Sequence, residues 1–506
     1  MKKVFLLLFF GLHTLMYAQE LTENDLNAIK YALQIDIASL QNKVFTLSSP
    51  MFEGRAVGTE GNAAAARYLA KCMTDYKIQP AVGNSYFQHI PVYRIQSVEK
   101  NFHVNNFNYR NDYTYGNSIS QEFNIDAEEV IFAGYGIYSA SYNDFENVDI
   151  SDEVIMIMEG GSPMSKFGVP FTKNKLNSYS IDYIRENKPR AILVVRNGYN
   201  TYTNYATDRL VFDDTQAKTN TIPEITINEL LANKLLSPVN KSIKQLQYEI
   251  ERDNKSHSFE IETEVEFNGS YIYTPLNSNS KENNLVGIIK GDELDEYVVL
   301  TAHYDSKGKY TDEEIYYGAE NNASGVAAVL EIARLFSEAK KAGVCLRRSV
   351  ILLLTTAKES GLNGSNFYVN NPLFPLEKTV AAVNLDMLGL SSEEYKDNTK
   401  NYLYLVSRKT QSDDLLRQVK EANQITQLTL SFKGSDTDNN EEFSEENFDQ
   451  YSFSKKNIPS VTFTSGYQSQ LEFTQNNKDK FESINFIKLT ERTQLAFLTL
   501  WRLVNE

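Results

Sequence analysis

The strongest constraint on the fold is a series of apolar runs that alternates with helical patterns between residues 285 and 504. Leu285–Ile289, Tyr297–Thr301, Val350–Thr355 and Val380–Leu385 have the composition of buried strands. After Ser324, a predicted helix N-cap, apolar residues follow at helical spacing. Such alternation predicts an α/β fold: a mainly parallel sheet with helices on both faces, whose ligands gather at the carboxyl ends of the strands.

The remainder of the chain divides into two regions with different secondary-structure signals. Residues 19–97 are rich in helical signals, whereas residues 98–268 are rich in short strands bounded by Gly, Pro or Asn. The polar stretch Asn277–Asn283 reads as a linker into the α/β region, which we assign to residues 269–506. The sequence therefore predicts a β-rich insert within an α/β protein.

The N-terminus has the order of a secretory signal. Met1-Lys2-Lys3 is followed by the apolar run Val4–Leu12 and by small residues before Gln19. We expect residues 1–18 to be a signal peptide and the product to be exported, to the periplasm or the medium if the source is bacterial. No later stretch is long and apolar enough to predict an integral membrane segment.

Charge and cysteine content narrow the function classes. The formal net charge of −16 disfavours nucleic acids and anionic membrane surfaces as partners. Cys72 and Cys345 are the only cysteines, so the chain is not a disulfide scaffold. One bridge and two free buried thiols both remain open.

Polar residues follow the predicted strands where their carboxyl ends should meet. His303 and Asp305 end one strand, Lys358 and Glu359 the next, and Asp386 a third. Each alone has an ordinary structural explanation, as a strand-end histidine, a helix N-terminal carboxylate or a turn former. Together, a His, a Glu and an Asp form a ligand set suited to zinc.

Several further motifs follow one another along the chain: Leu47–Ser49, Phe52–Arg55, Gly58–Gly61, Phe132–Ile137, Ile222-Pro223, Tyr316–Ala333, Gly361–Ser365 and Ala382–Met387. In this order they resemble the zinc aminopeptidase family, number twenty-eight among metallopeptidases, which includes aminopeptidase Y, bacterial leucyl aminopeptidases and glutamate carboxypeptidases. The resemblance implies a zinc-exopeptidase-like fold and identifies the insert as similar to a protease-associated domain.

The resemblance also implies a dinuclear zinc site, and this sequence departs from it. His303, Glu359 and Asp386 match three of the family's ligands. Asn321 stands where a carboxylate bridges the two ions, and Lys358 stands where a Glu acts as general base. The last His ligand is missing, because His303 is the final histidine of the chain; Glu472 or Phe473 lies near its position.

These departures favour a non-catalytic pseudopeptidase with no zinc, or at most one weakly bound zinc, that binds a peptide or envelope protein. Pocket residues Glu320, Asn321 and Lys358 would line its site, with the Lys358 ammonium offsetting the charge of Glu359 and Asp386. The alternative is an active zinc aminopeptidase with a rearranged site. There, Glu320 would supply the bridge, Glu472 would replace the His, and Glu320 or Asp305 would act as base.

Overall fold

The computed structural model describes residues 22–109, 112–115, 122–159, 178–196, 208–212, 222–275, 282–309, 314–391, 401–434, 443–466 and 478–506. The predicted signal peptide, Glu472 and Phe473 lie outside these residues. Among the helices that the structure describes, none has the length and apolar character needed to cross a membrane.

The helices are numbered in chain order, and short 3₁₀ turns are left unnumbered. Their bounds are α1 Glu23–Ala32, α2 Ile37–Leu47, α3 Glu60–Asp75, α4 Ser178–Asn187, α5 Glu229–Leu235, α6 Ile243–Asp253, α7 Gly325–Lys341, α8 Asn363–Asn370, α9 Lys409–Thr426, α10 Gln450–Ser454 and α11 Phe486–Asn505.

The strands are numbered in the same way. Their bounds are β1 Gln79–Pro80, β2 Phe87–Ile90, β3 Val92–Val104, β4 Phe107–Asn108, β5 Tyr113–Tyr115, β6 Phe123–Phe132, β7 Tyr138–Ser139, β8 Tyr142–Asn143, β9 Val154–Glu159, β10 Ala191–Arg196, β11 Asp208–Phe212, β12 Glu224–Ile227, β13 Phe259–Pro275, β14 Glu282–Ile289, β15 Tyr297–His303, β16 Gly308–Lys309, β17 Ile315–Tyr316, β18 Ser349–Thr355, β19 Thr379–Leu385, β20 Tyr402–Val406, β21 Thr429–Lys433 and β22 Ser460–Thr464.

The described residues form two compact units. One comprises those of Met1–Ile90 and Asn279–Glu506, and the other those of Pro91–Ser278. The insert boundaries expected from sequence, 98 and 268, fall inside β3 and β13, which pair with each other. The sequence-based boundaries fall inside these strands because the residues of β3 and β13 outside 98–268 do not differ in pattern from the flanking chain.

The larger unit is built on a mainly parallel sheet. In the described residues its strand order is β1-β14-β18-β15-β19-β22-β20-β21, with β2 also paired to β14. The central strands β18, β15, β19 and β22 run parallel. Strand β14 on one side and β20 on the other run antiparallel to them. The predicted α/β class and parallel centre are confirmed.

Both faces of this sheet are buried, which explains why its strands are apolar without alternation. On β15, Val298, Leu300 and Ala302 pack into the core shared with α7 and α11. Val299, between them, packs into the core on the other face, which includes Phe453 of α10. Burial of adjacent residues on opposite faces requires continuous apolar runs.

The smaller unit contains a second sheet, ordered β11-β3-β13-β6-β9-β10-β12-β5 in the described residues. Strand β6 ends at Phe132, and Gly134 and Gly136, with φ of 50° and 68°, form the turn that follows. The carboxylate of Asp144 accepts hydrogen bonds from the N–H groups of Tyr135 and Ile137, 3.0 Å each. The identity of this unit as a protease-associated domain stays a prediction.

One local expectation was wrong, and another held only in part. Ser324 does not cap α7: its backbone is helical and its hydroxyl donates to Glu320 O at 2.9 Å, because one wide helical turn, Ala319–Ser324, precedes the helix. Cys72 and Cys345 are both free, and Cys345 is exposed rather than buried.

Candidate functional site

Three parallel strands bring the predicted site residues to one edge of the sheet. His303 is the last residue of β15, Asp386 directly follows β19, and Lys358 and Glu359 follow β18. Since β15 lies between β18 and β19 with all three parallel, their carboxyl ends converge. The structure therefore places these four side chains together, as the sequence indicated.

Asn321 joins them from the wide turn before α7. Its backbone N–H donates to Asp479 Oδ2 at 3.1 Å, and the N–H of Glu320 donates to Asp479 Oδ1 at 2.6 Å. Asp479 is buried, and it fixes the turn that carries Asn321. Sequence reasoning missed Asp479, because a carboxylate so far along the chain gives no local signal of the turn it caps.

His303 and Asp386 lie next to each other in the buried part of the site. His303 Nε2 lies 3.5 Å from Asp386 Oδ1, and both side chains are fully buried. His303 Nε2 and both Asp386 carboxylate oxygens make no hydrogen bond with any residue that the structure describes. A buried carboxylate without hydrogen bonds needs a nearby cation.

Lys358 supplies a cation. Its Nζ lies 3.2 Å from Glu359 Oε1 and 3.8 Å from Asp386 Oδ2, and only 6% of its side chain is exposed. Asn321 Nδ2 donates to the same Glu359 Oε1 at 3.0 Å. The ammonium and the amide nitrogen therefore both face carboxylates that the family resemblance assigns to metal.

Asp305 orients His303 and the loop that carries Lys358 and Glu359. Its carboxylate accepts hydrogen bonds from the backbone N–H groups of Lys358 and Glu359, 3.2 Å each. Its Oδ1 also lies 3.3 Å from His303 Nδ1. Asp305 thus orients the ring and the loop after β18 together, and both its oxygens are engaged in this role.

The pKa values follow from these contacts. Burial favours a neutral His303, but the Asp386 and Asp305 carboxylates outweigh burial and raise the pKa of its ring to about 10. Burial favours a protonated Glu359, but Lys358, His303 and Asn321 outweigh it and lower its pKa to about 2. The pKa of Asp386 is likewise lowered by Lys358 and His303 despite burial. At neutral pH two carboxylates therefore face two cations.

Glu320 does not line the site as expected. Its carboxylate accepts hydrogen bonds from the backbone N–H groups of Gly389 at 2.7 Å and Leu390 at 3.0 Å, and from Ser465 Oγ at 3.0 Å. Burial, reinforced by Asp479, raises its pKa to about 7. Glu320 could act as the bridging carboxylate only by giving up these bonds, so the structure does not support Glu320 in that role.

A further buried carboxylate, Asp449, was not identified from sequence. Its Oδ2 accepts a hydrogen bond from Thr355 Oγ1 at 2.9 Å, and its Oδ1 has no partner in the described residues. Burial raises the pKa of Asp449, and the nearby His303 opposes this rise. Asp449 precedes the short helix α10, where a lone Asp predicts a helix cap rather than a site residue.

The described residues of this site do not fit two zinc ions. A bridging site needs a carboxylate at 321, and there the amide nitrogen points at Glu359. An ammonium close to Glu359 and Asp386 repels a divalent cation that would use the same oxygens. Within the described part of the chain, no group of three or more His, Cys, Asp or Glu is arranged to hold a metal ion.

Comparisons with known proteins agree with this architecture. Residues 284–498 match the sequence profile of Peptidase family M28. Over 108 residues the chain is 40% identical to a probable glutamate carboxypeptidase of Zea mays, covering 21% of this chain and 14% of that protein. Over 107 residues it is 38% identical to an aminopeptidase of Mus musculus, covering 21% and 13%. The matches thus span only a small part of these relatives.

Solved structures resemble a larger part of the chain. An aminopeptidase from Aneurinibacillus sp. strain AM-1 superposes with a TM-score of 0.57 at 15% identity, covering 94% of this chain and 96% of that one. A zinc aminopeptidase from Bacillus subtilis gives a TM-score of 0.53 at 18% identity, with the same coverage. At such identities the likeness shows a shared fold.

Proposed function

Because the region 284–498 belongs to peptidase family M28, we propose that this chain is a non-hydrolytic member of that family, which binds a peptide or protein ligand without cleaving it. The proposal includes export, to the periplasm or the medium if the source is bacterial, on the strength of the basic and apolar N-terminal sequence.

One observation carries the proposal: the Lys358 ammonium lies between Glu359 and Asp386, 3.2 and 3.8 Å from their oxygens. The family resemblance assigns this position to the carboxylate that takes a proton from water. A protonated lysine has no lone pair for that purpose, and loss of a general base typically lowers the rate by about 10²–10⁴. Lys358 also provides the positive charge that the two carboxylates need.

Hydrogen bonds among the described residues hold the scaffold around the site in place, which supports a binding role. Asp305 orients His303, and Glu320 accepts hydrogen bonds from the loop after β19. Arg492 is buried and donates from Nη1 to the carbonyl oxygens of Leu388 and Leu390 in that loop, 2.7 Å each. Side chains held by such networks present one fixed surface, which lowers the entropic cost of binding a ligand.

A second candidate is a hydrolase with a single zinc ion. It is favoured by His303 Nε2 and the two Asp386 oxygens, which are buried, adjacent and without hydrogen bonds in the described residues. These atoms could hold one ion, but Lys358 would lie beside it and no carboxylate at 358 would activate water. We therefore rank this candidate second.

The test uses the full chain, purified without chelator, and a defined set of hexapeptides with free N-termini. Equilibrium dialysis measures binding, and mass spectrometry measures the recovered peptides, with and without added zinc. The proposal predicts saturable binding of at least one peptide class, which is recovered intact. Release of N-terminal residues that disappears in His303→Ala would contradict it, and so would the absence of binding across the set.

A further inference from the structure

A cavity of about 270 Å³ lies at one edge of the larger unit's sheet, between α9 and the strands β20 and β21. Strand β20 runs antiparallel to β22, so its carboxyl end lies at the amino ends of the parallel strands. The cavity residue Ser407, just after β20, therefore lies at the opposite strand ends from His303. The cavity is therefore separate from the site described above. Its volume is slightly below the roughly 300–1,000 Å³ of drug-sized sites, which indicates a small occupant.

The walls of this cavity are apolar. Leu405 and Leu416 are buried, and Phe432 forms part of the side that reaches solvent. These side chains come from β20, α9 and β21 respectively. An apolar lining of this kind favours a ligand with a hydrocarbon or aromatic body.

The charges around the cavity differ in sign from the chain as a whole. Arg417, Lys420 and Lys433 line it with a single acid, Asp413, in a protein of net charge −16. Arg417 is already paired with the carboxylates of neighbouring residues on α9. The Lys420 ammonium lies 4.7 Å from the centroid of the Phe432 ring and makes no ion pair with any described residue.

We infer that this cavity binds a small amphipathic monocarboxylate, with its apolar body against Leu405, Leu416 and Phe432. Its carboxylate lies beside the Lys420 ammonium. An anion is the ligand charge that matches Lys420, because Arg417 is already paired. The inference does not rest on the proposed function, because the two sites share no residue.

The test is calorimetric titration of the full chain with 3-phenylpropionate, compared with the neutral 3-phenylpropionamide and with acetate, which lacks the apolar body. We expect saturable binding of 3-phenylpropionate and at least about tenfold weaker binding of the other two. Lys420→Met should weaken binding about tenfold.

Lys455→Met is the matched control, because Lys455 also lies over a ring, 4.9 Å from the centroid of Tyr451, away from this cavity. It should leave affinity unchanged. Absence of saturable binding, equal binding of the amide, or unchanged affinity in Lys420→Met would each overturn the inference. Lys420 is exposed, so its variant is expected to fold.

Discussion

Asn321 turns its amide nitrogen towards Glu359, donating to Oε1 at 3.0 Å. A carboxylate in this orientation would place two negative charges at hydrogen-bond distance. At the position that the family resemblance assigns to the bridging carboxylate, the structure thus has a hydrogen-bond donor to Glu359. This relationship, with the ammonium of Lys358, underlies the predictions below.

Asn321→Asp should destabilise the protein in the presence of chelator. The change removes the hydrogen bond to Glu359 and replaces it with like-charge repulsion, at a cost of about 1–3 kcal/mol in the free energy of unfolding. Denaturant titration monitored by the single, buried Trp501 measures it. Asn42→Asp, at an exposed asparagine of α2, serves as the control and should change little; an equally small effect at both positions would refute the assigned contact.

Lys358→Met should unfold more readily, because it leaves Glu359 and Asp386 without their ammonium. Removing one partner of a buried pair costs about 3–5 kcal/mol. Zinc should raise the melting temperature of this variant, because the vacated carboxylates then accept a divalent cation, and should leave the parent unchanged.

Lys43→Met is the matched control for that experiment. Lys43 is buried and lies 2.9 Å from Glu331. The variant should lose less stability, because Arg334 still pairs with Glu331, and zinc should not rescue it. If zinc stabilised both variants, or neither of them, Lys358 would not be the cation that pairs with Glu359 and Asp386.

The ion pairs of Glu331 with Lys43 and Arg334 also predict that the stability of the protein depends on pH. Burial favours the protonated form of Glu331, but Arg334 and Lys43 outweigh it and lower its pKa to about 2. The folded-state pKa lies below the unfolded value of about 4.3, so the unfolded state binds more protons between these values. Ionised Glu331 contributes about 3 kcal/mol to the free energy of unfolding. This contribution is present above pH 4.3 and is lost as the pH falls towards 2.

This prediction is measured as the difference in unfolding free energy between the parent and Glu331→Gln from pH 6 to pH 2.5. The difference should be constant above pH 5 and shrink below pH 4.3. A difference that does not change with pH would mean that Glu331 is not ionised in the folded state.

The two thiols should react at different rates. Cys345 is exposed and Cys72 is half-buried, and neither forms a disulfide. A thiol reagent should label Cys345 first in the native protein and both cysteines after denaturation without reductant, as read by peptide mass spectrometry. Recovery of a Cys72–Cys345 crosslinked peptide would contradict the structure.

The sequence predicted the parts of the site that depend on strands. His303, Glu359 and Asp386 follow apolar runs, and parallel strands must bring such residues to one edge. The helices and strands of the larger unit were also recognisable, because burial on both faces leaves continuous apolar runs. The wide turn before α7 was missed, since Ser324 before an apolar stripe reads as an ordinary cap.

Long-range contacts could not be predicted. Asp479 caps the turn of Asn321, and Asp449 binds Thr355, across separations that no periodicity encodes. Glu320 illustrates the same limit: its position beside Asn321 suggested the site, but its hydrogen bonds to Gly389 and Leu390 direct it to the loop after β19. Which way a side chain points depends on partners that the fold supplies.

The zinc content of the full chain, with hydrolysis measured on the same sample, tests the central claim most directly. After dialysis against excess zinc and removal of free metal, elemental analysis should give less than one zinc per chain. Chromogenic aminoacyl substrates should then show no measurable hydrolysis. Two zinc ions per chain, with hydrolysis that disappears in His303→Ala, would contradict the account and identify an active aminopeptidase.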